Sequence, residues 1–132
     1  MARILAIEDD DLVRATIKRT LEGAGHAVFA AADGRDGLQQ FWETPTDLVL
    51  CDVFMPKKSG IATLRELRQI SNDVPVIMMS AGIPQAWRVA GLTSEEYLCM
   101  TTLLSATRAL DKPFKPSQLL ALVAELMADR TN

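Results

Sequence analysis

A doubly wound α/β domain, with one parallel sheet between two layers of helices, is what this sequence predicts. Three observations carry that expectation. Short apolar runs bounded by turn residues alternate with stretches whose apolar residues recur at helical spacing. Strand and helix alternate five times, the pattern of successive βαβ units. The strand runs are near-continuously apolar, as expected where both faces of a sheet are covered. The 132 residues are the size of one ordinary domain, and a 48% hydrophobic content is enough for a real core.

Taken in order, Arg3-Ile4-Leu5-Ala6-Ile7 is the first strand. It meets Glu8-Asp9-Asp10-Asp11, an acidic turn able to cap the next helix. Val13, Ile17, Leu21 and Ala24 recur at helical spacing, and Gly23 and Gly25 end that helix. Ala27 to Ala31 is a second strand, and Asp33-Gly34 turns the chain. Leu38, Phe41 and Trp42 give one face of a short second helix. Leu48-Val49-Leu50-Cys51 then runs into Asp52, with Pro56 four residues on. A carboxylate ending an apolar strand is costly to bury unpaired, so Asp52 is expected at a mouth where something positive meets it.

Ser59-Gly60 opens a third helix with Ile61, Leu64, Leu67 and Ile70 inward. Val74 to Met79 is a fourth strand, its proline near the start where one is tolerated, closed by Ser80-Ala81-Gly82. Residues 83–92 have no clear pattern. Thr93-Ser94-Glu95-Glu96 has capping-box spacing and should start a fourth helix. Thr107 to Leu110 is a short fifth strand, followed by Asp111-Lys112-Pro113-Phe114. Pro116 suits a first helical position, and Leu119, Leu122, Val123, Leu126 and Met127 form a core-facing stripe. Right-handed crossovers leave few topologies. The commonest of this size is the flavodoxin-like (βα)5 three-layer sandwich with strand order 2-1-3-4-5. Its ligand crevice lies beyond the carboxyl ends of strands one and three.

Composition narrows the function. The net charge is −3, and no basic run exceeds Lys57-Lys58, which argues against nucleic acid as a partner. Val76-Ile77-Met78-Met79 is far too short to cross a bilayer. Met1-Ala2-Arg3 leads straight into a strand and does not resemble a signal peptide, so a cytoplasmic protein without membrane partners is expected. Cys51 and Cys99 lack metal-ligand spacing and read as reduced thiols. His26, the single histidine, opens strand two and reads as surface structure.

In the 2-1-3-4-5 order, Glu8, Asp9 and Asp52 converge from neighbouring strand ends. Two carboxylates about 4 Å apart repel by roughly 4 kcal/mol at an effective dielectric of about 20. Either a cation neutralises them or one stays protonated. Mg²⁺ fits, because it takes oxygen ligands, keeps waters and bridges to phosphate. Lys112 and Ser80 end strands on the same edge. A cation, a lysine and a hydroxyl around a carboxylate suit phosphoryl transfer, with Asp52 as nucleophile forming an acyl phosphate. Singly, each residue has a plainer explanation: an aspartate after a strand is usually a turn or cap, and a Lys-Pro pair is usually a loop. Jointly, all five groups fall on the ligand-binding edge.

Ile7-Glu8-Asp9-Asp10, Cys51-Asp52-Val53-Phe54-Met55-Pro56 with Gly60 beyond, Met79-Ser80-Ala81 and Lys112-Pro113-Phe114 together resemble the receiver domain of two-component response regulators. The likeness covers essentially the whole chain, 1–132, and is to the single-domain, chemotaxis-regulator-like members with no output domain. It implies that Asp52 is the phosphoacceptor, charged from a phosphohistidine on a sensor histidine kinase or histidine phosphotransfer protein. It implies that Asp9, Asp52 and the Phe54 backbone carbonyl bind Mg²⁺ directly, with Glu8 acting through water. Lys112 would contact the phosphoryl oxygens. Ser80 would swing toward the phosphate and alter binding of a downstream protein. The module would catalyse loss of its own phosphoryl group but would not otherwise be an enzyme, and would be a monomer or weak homodimer.

Two departures from the family pattern stand out. Ala109 occupies the position of the switch aromatic, so coupling through a rotating ring is missing, with Tyr97 as a substitute. The stretch between Ser80 and Lys112 carries an insertion of roughly ten residues, of a kind surface loops tolerate, placed near residues 83–93. Trp87, Val89 and Leu92 within it either cover the domain's own surface or form a docking patch. Phe54 stands two residues past the acceptor, where a bulky ring would hinder water and lengthen the phosphorylated lifetime.

Three rivals follow from the same residues. Asp9-Asp10-Asp11-Leu12-Val13 matches the signature of haloacid-dehalogenase-like phosphatases, with Asp9 as nucleophile and Asp11 as general acid, but leaves Asp52 without a role. A flavin binder of this topology needs a Ser/Thr/Gly-rich phosphate loop where this chain has acids. A phosphorylation-independent pseudo-receiver would suit the missing aromatic but not the intact acidic site and Lys112.

Overall fold

The computed structural model describes residues 1–55, 58–80 and 108–131. Among them the elements run β1 (Arg3–Ile7), α1 (Asp11–Gly23), β2 (Ala27–Ala31), α2 (Gly34–Glu43), β3 (Leu48–Asp52), α3 (Gly60–Ile70), β4 (Val76–Ser80), β5 (Arg108–Asp111) and α4 (Pro116–Thr131). The five strands form one all-parallel sheet in the order β2-β1-β3-β4-β5, the predicted doubly wound topology.

The near-continuous apolar strands are explained by the two faces they supply. Alternate residues of a strand point to opposite sides of a sheet. Leu5, Ile7, Val49, Cys51, Val76 and Met78 pack on one side with Phe41 of α2 and Leu64 and Leu67 of α3. Ile4, Ala6, Leu48, Leu50, Ile77 and Met79 pack on the other with Ile17 and Leu21 of α1 and Leu119, Val123 and Leu126 of α4. A one-residue slip of any central strand would exchange these sets between two differently shaped helix layers, so the register is strongly specified.

Helix starts follow the sequence signals. Asp10, Asp33 and Ser59 are the N-caps of α1, α2 and α3, each accepting from backbone N–H groups of the first turn. Gly25, past the end of α1, has φ of 94°, in the left-handed region that glycine adopts without penalty.

Several expected inward residues face solvent instead. Trp42 is 69% exposed and Ile70 36%. The buried stripe of α2 is Gly34, Gly37 and Phe41. Trp42 lies one residue, about 100° of helix, beyond it. Two glycines, which carry no hydrophobic signal, let the backbone of α2 approach its neighbours closely. A Cβ at Gly37 would come within 2.4 Å of Ile7 Cδ1. Ala24, expected in the α1 stripe, is its exposed C-cap. Ladder pairing of β4 starts at Val76 rather than Val74, and the Pro75 carbonyl still accepts from Val49 N–H at 3.0 Å. The expected insertion near 83–93, the helix begun at Thr93, and Pro56, Trp87, Tyr97 and Cys99 lie outside the described residues. Among the described residues no helix is long and apolar enough to cross a membrane.

Candidate functional site

Parallel pairing brings the carboxyl ends of all strands to one edge. Register matches Ile7 of β1 with Cys51 of β3, so Glu8 and Asp52 emerge side by side. Backbone hydrogen bonds continue the ladder past the strands: Glu8 N–H to Ala31 O at 3.0 Å, Val53 N–H to Met79 O at 2.8 Å and Lys112 N–H to Ser80 O at 2.7 Å. The last of these ties the start of the Lys112 loop to the strand end at Ser80. The Lys112–Pro113 peptide is cis.

The four consecutive acids of the β1–α1 turn have separate tasks. Asp10 accepts from Leu12 N–H at 2.9 Å and Val13 N–H at 3.0 Å. Asp11 points to solvent and pairs with Arg14 at 2.5 Å. Glu8 and Asp9 are left for the crevice, where each offers a carboxylate oxygen that, with one from Asp52, lies within 4.8 Å of the others. Glu8 is fully buried, Asp52 is 5% exposed, and Asp9 is open to solvent.

Lys112 closes the cluster. Its ammonium pairs with Glu8 and lies 3.3 Å from Asp52 Oδ2. Burial alone would lower its pKa; the Glu8 hydrogen bond and the charges of Asp52 and Glu8 overcome that and hold it above the ordinary lysine value. Asp52 is pushed up to about 8, first by burial and then by contact and charge repulsion from Glu8, with Lys112 opposing and Asp9 adding to the rise. The neighbouring Cys51 thiol is driven well above its usual range by burial and by Asp52 and Glu8, so it is an inert core group.

The residues fit a small, hard cation. All three side chains offer oxygen, and the exposed Asp9 leaves room for retained waters. Glu8 Oε2 is buried without a hydrogen-bond partner among the described residues. An acceptor in that state is costly unless something positive reaches it. Among the described residues, one lysine for three carboxylates leaves the cluster short of positive charge.

Other sequence-predicted residues fall as follows. Ser80, 6% exposed, ends β4, one residue past the level at which Met79 pairs with Asp52. Phe54 is half-buried and packs against the α2–α3 side of the core. Ala109 lies in β5 opposite Met78, so only a methyl stands where the family pattern puts a ring. His26 accepts from Ala2 N–H at 3.0 Å, and burial followed by the nearby N-terminus lowers its pKa. Two residues support the site, Gly60, whose place in the motif the sequence showed without its reason, and Arg14, which the sequence reading did not single out. Gly60 lies directly beneath the acceptor peptide, and Arg14 donates to the Glu8 carbonyl at 2.8 Å. The available signal for Arg14 was a basic residue one turn into a helix capped by an acidic turn.

The class of protein these observations define is a doubly wound α/β domain with three carboxylates and a lysine gathered at its β1–β3 switch point. The sequence model of the response regulator receiver domain matches residues 4–124. The chain is 34% identical over 135 residues to response regulator MprA of Mycobacterium leprae, covering 98% of this chain and 59% of that protein. It therefore spans a little over half the length of the curated relatives it matches. Among solved structures it resembles chemotaxis protein CheY4 of Vibrio cholerae at 29% identity and TM-score 0.79, over 96% of this chain and 98% of that one. It also resembles a response regulator receiver domain protein from Clostridium thermocellum at 27% identity and TM-score 0.86, over 99% of this chain and 98% of that one. The chain belongs to the receiver domain family of two-component response regulators. Neither the fold nor these likenesses supports the phosphatase alternative, whose general acid, Asp11, has a side chain 91% exposed and paired with Arg14.

Proposed function

We propose that Asp52 is the phosphoacceptor of this receiver domain. One of its carboxylate oxygens attacks the phosphorus of a phosphohistidine on a sensor histidine kinase or histidine phosphotransfer protein. The P–O bond to Asp52 forms as the P–N bond breaks, and the imidazole leaves. The observation that carries the proposal is the convergence of Glu8, Asp9 and Asp52 within 4.8 Å beside the Lys112 ammonium. Asp9, Asp52 and the Phe54 carbonyl would hold Mg²⁺, with Glu8 acting through water. When bound, the ion supplies charge neutralisation at the phosphoryl oxygens.

The chain's own residues do the rest. Lys112, already held against Asp52, exchanges carboxylate contacts for phosphoryl oxygens as charge moves outward from Asp52. Ser80 offers a hydroxyl on the same edge. Burial of Asp52 limits the water that would hydrolyse the acyl phosphate, and intrinsic hydrolysis then makes the signal transient. Partner binding changes without a rotating aromatic, since position 109 is alanine. The module acts in the cytoplasm as a monomer or weak homodimer, on a downstream protein.

The test is to incubate the protein with Mg²⁺ and a small acyl phosphate donor and to locate the added phosphoryl group by mass spectrometry. Label is expected on Asp52 and absent from Asp52→Asn. Label on another side chain, or undiminished labelling of the variant, would refute the assignment.

A further inference from the structure

Arg14 sits in the first turns of α1 with its side chain 21% exposed, and its guanidinium reaches back over the acidic turn. One arm, Nη1, donates to the Glu8 backbone carbonyl at 2.8 Å. The other, Nη2, pairs with Asp11 Oδ1 at 2.5 Å. The two contacts bridge the turn from its first acid to its last. Between them lies the Glu8–Asp9 peptide, which carries two of the three clustered carboxylates. Among the described residues no other side chain hydrogen-bonds the Glu8 carbonyl, and Asp10 is already committed to capping α1.

We propose that Arg14 is a positioning residue for the divalent cation. Its planar fork pins the Glu8 carbonyl on the α1 side and so fixes the aim of the Glu8 and Asp9 side chains toward Asp52. Arg14 touches neither the ion nor the reacting atoms. The proposal rests on Mg²⁺ occupying the Glu8, Asp9 and Asp52 cluster.

Charge and positioning make opposite demands here. Arg14 is a cation beside a cation site, so on Coulomb repulsion alone its neutralisation would tighten Mg²⁺ binding. As a support for the ligands, its removal must weaken it. Titration calorimetry of Mg²⁺ into the metal-free protein separates the two. Arg14→Gln is expected to bind about tenfold more weakly, the low end of the cost of losing a partner that orients metal ligands. Arg14→Lys keeps the charge but loses the fork, and should fall between. Ile17→Val, a core change on the same helix, controls for general loosening of α1 and should bind as the wild type does. Thermal melts in chelator establish that each variant is folded. If Arg14→Gln does not fold, Arg14→Lys carries the test through its expected weakening. Affinity in the folded arginine variants equal to or tighter than wild type overturns the proposal, as does an equal loss in Ile17→Val. Absence of Mg²⁺ binding by the wild-type protein would instead overturn the parent assignment of the cation site, and this inference with it.

Discussion

Replacing Gly60 with alanine tests the link between fold and acceptor site most directly. An ideal Cβ at Gly60 would stand 2.2 Å from the Asp52 carbonyl oxygen, 2.7 Å from Val53 Cα and 3.0 Å from Asp52 C. All three are backbone atoms, so no rotamer change relieves the clash. Restoring ordinary contact, which begins near 3.4 Å, requires α3 to retreat from the end of β3 by more than 1 Å. The Gly60 N–H to Val53 O hydrogen bond, 2.8 Å long, would stretch with it. Overpacking of this kind costs about 1–3 kcal/mol, partly offset by the helix preference of alanine over glycine, at most about 1 kcal/mol. The middle of the first range less the offset leaves a net loss of about 1–2 kcal/mol. Urea unfolding in chelator should show a midpoint lowered by about 0.5–1 M, given a slope of about 2 kcal/mol/M. Because the displaced peptide carries Asp52, phosphorylation by a small donor should also slow, by up to about a hundredfold for a displacement of about 1 Å.

The other glycines supply controls. Gly34→Ala meets Thr63 Oγ1 at 2.0 Å, a hydroxyl that donates to Ser59 O at 3.0 Å, and should cost less because it is a side chain. Gly37→Ala meets Cδ1 and Cγ1 of Ile7, again side-chain atoms, and should likewise cost less than Gly60→Ala. Gly23→Ala meets nothing within 4 Å and should stabilise by up to about 1 kcal/mol. A Gly60→Ala protein as stable and as readily phosphorylated as the wild type would refute the close-packing account of the acceptor loop.

Two further predictions concern the charges. Lys112→Met leaves Glu8 buried without its ion pair and should destabilise the metal-free protein by about 3–5 kcal/mol near neutral pH. The pKa of Lys112 is raised in the folded state, so its contribution is complete below the ordinary lysine range and is lost as pH rises through the folded value. The gap to wild type in urea titrations should therefore narrow as pH rises above the ordinary lysine range; a pH-independent gap would contradict the ion-pair account. For Asp52 the folded pKa is raised from 3.8 to about 8. Its protonated form favours folding, and that contribution is lost as pH climbs between those values. The stability of Asp52→Asn relative to wild type in chelator should therefore grow from pH 4 to 8, and added Mg²⁺ should erase the gap. A gap that shrinks over this range would count against mutual repulsion in the cluster.

Local signals in the chain were sufficient for the architecture. Five apolar runs, three side-chain N-caps and the alternation of strand with helix specify a parallel sheet, because each is a short-range property of the backbone and its nearest side chains. Asp52 was legible for the same reason, being a charge at the end of an otherwise apolar strand. The pairing of Lys112 with Glu8 across 104 positions was expected only as a shared edge. The direct ion pair, and the burial that raises Asp52, depend on how far the strand ends sink below the loops. Trp42 and Ile70 were misassigned because hydrophobicity does not say which side of a stripe is covered, and glycines that define the inner face of α2 have no side chain to reveal it. Gly60 is the plainest case. Its residue type is visible in one dimension, but the reason for it, a carbonyl 2.2 Å from where a methyl would stand, exists only once α3 is docked beneath Asp52.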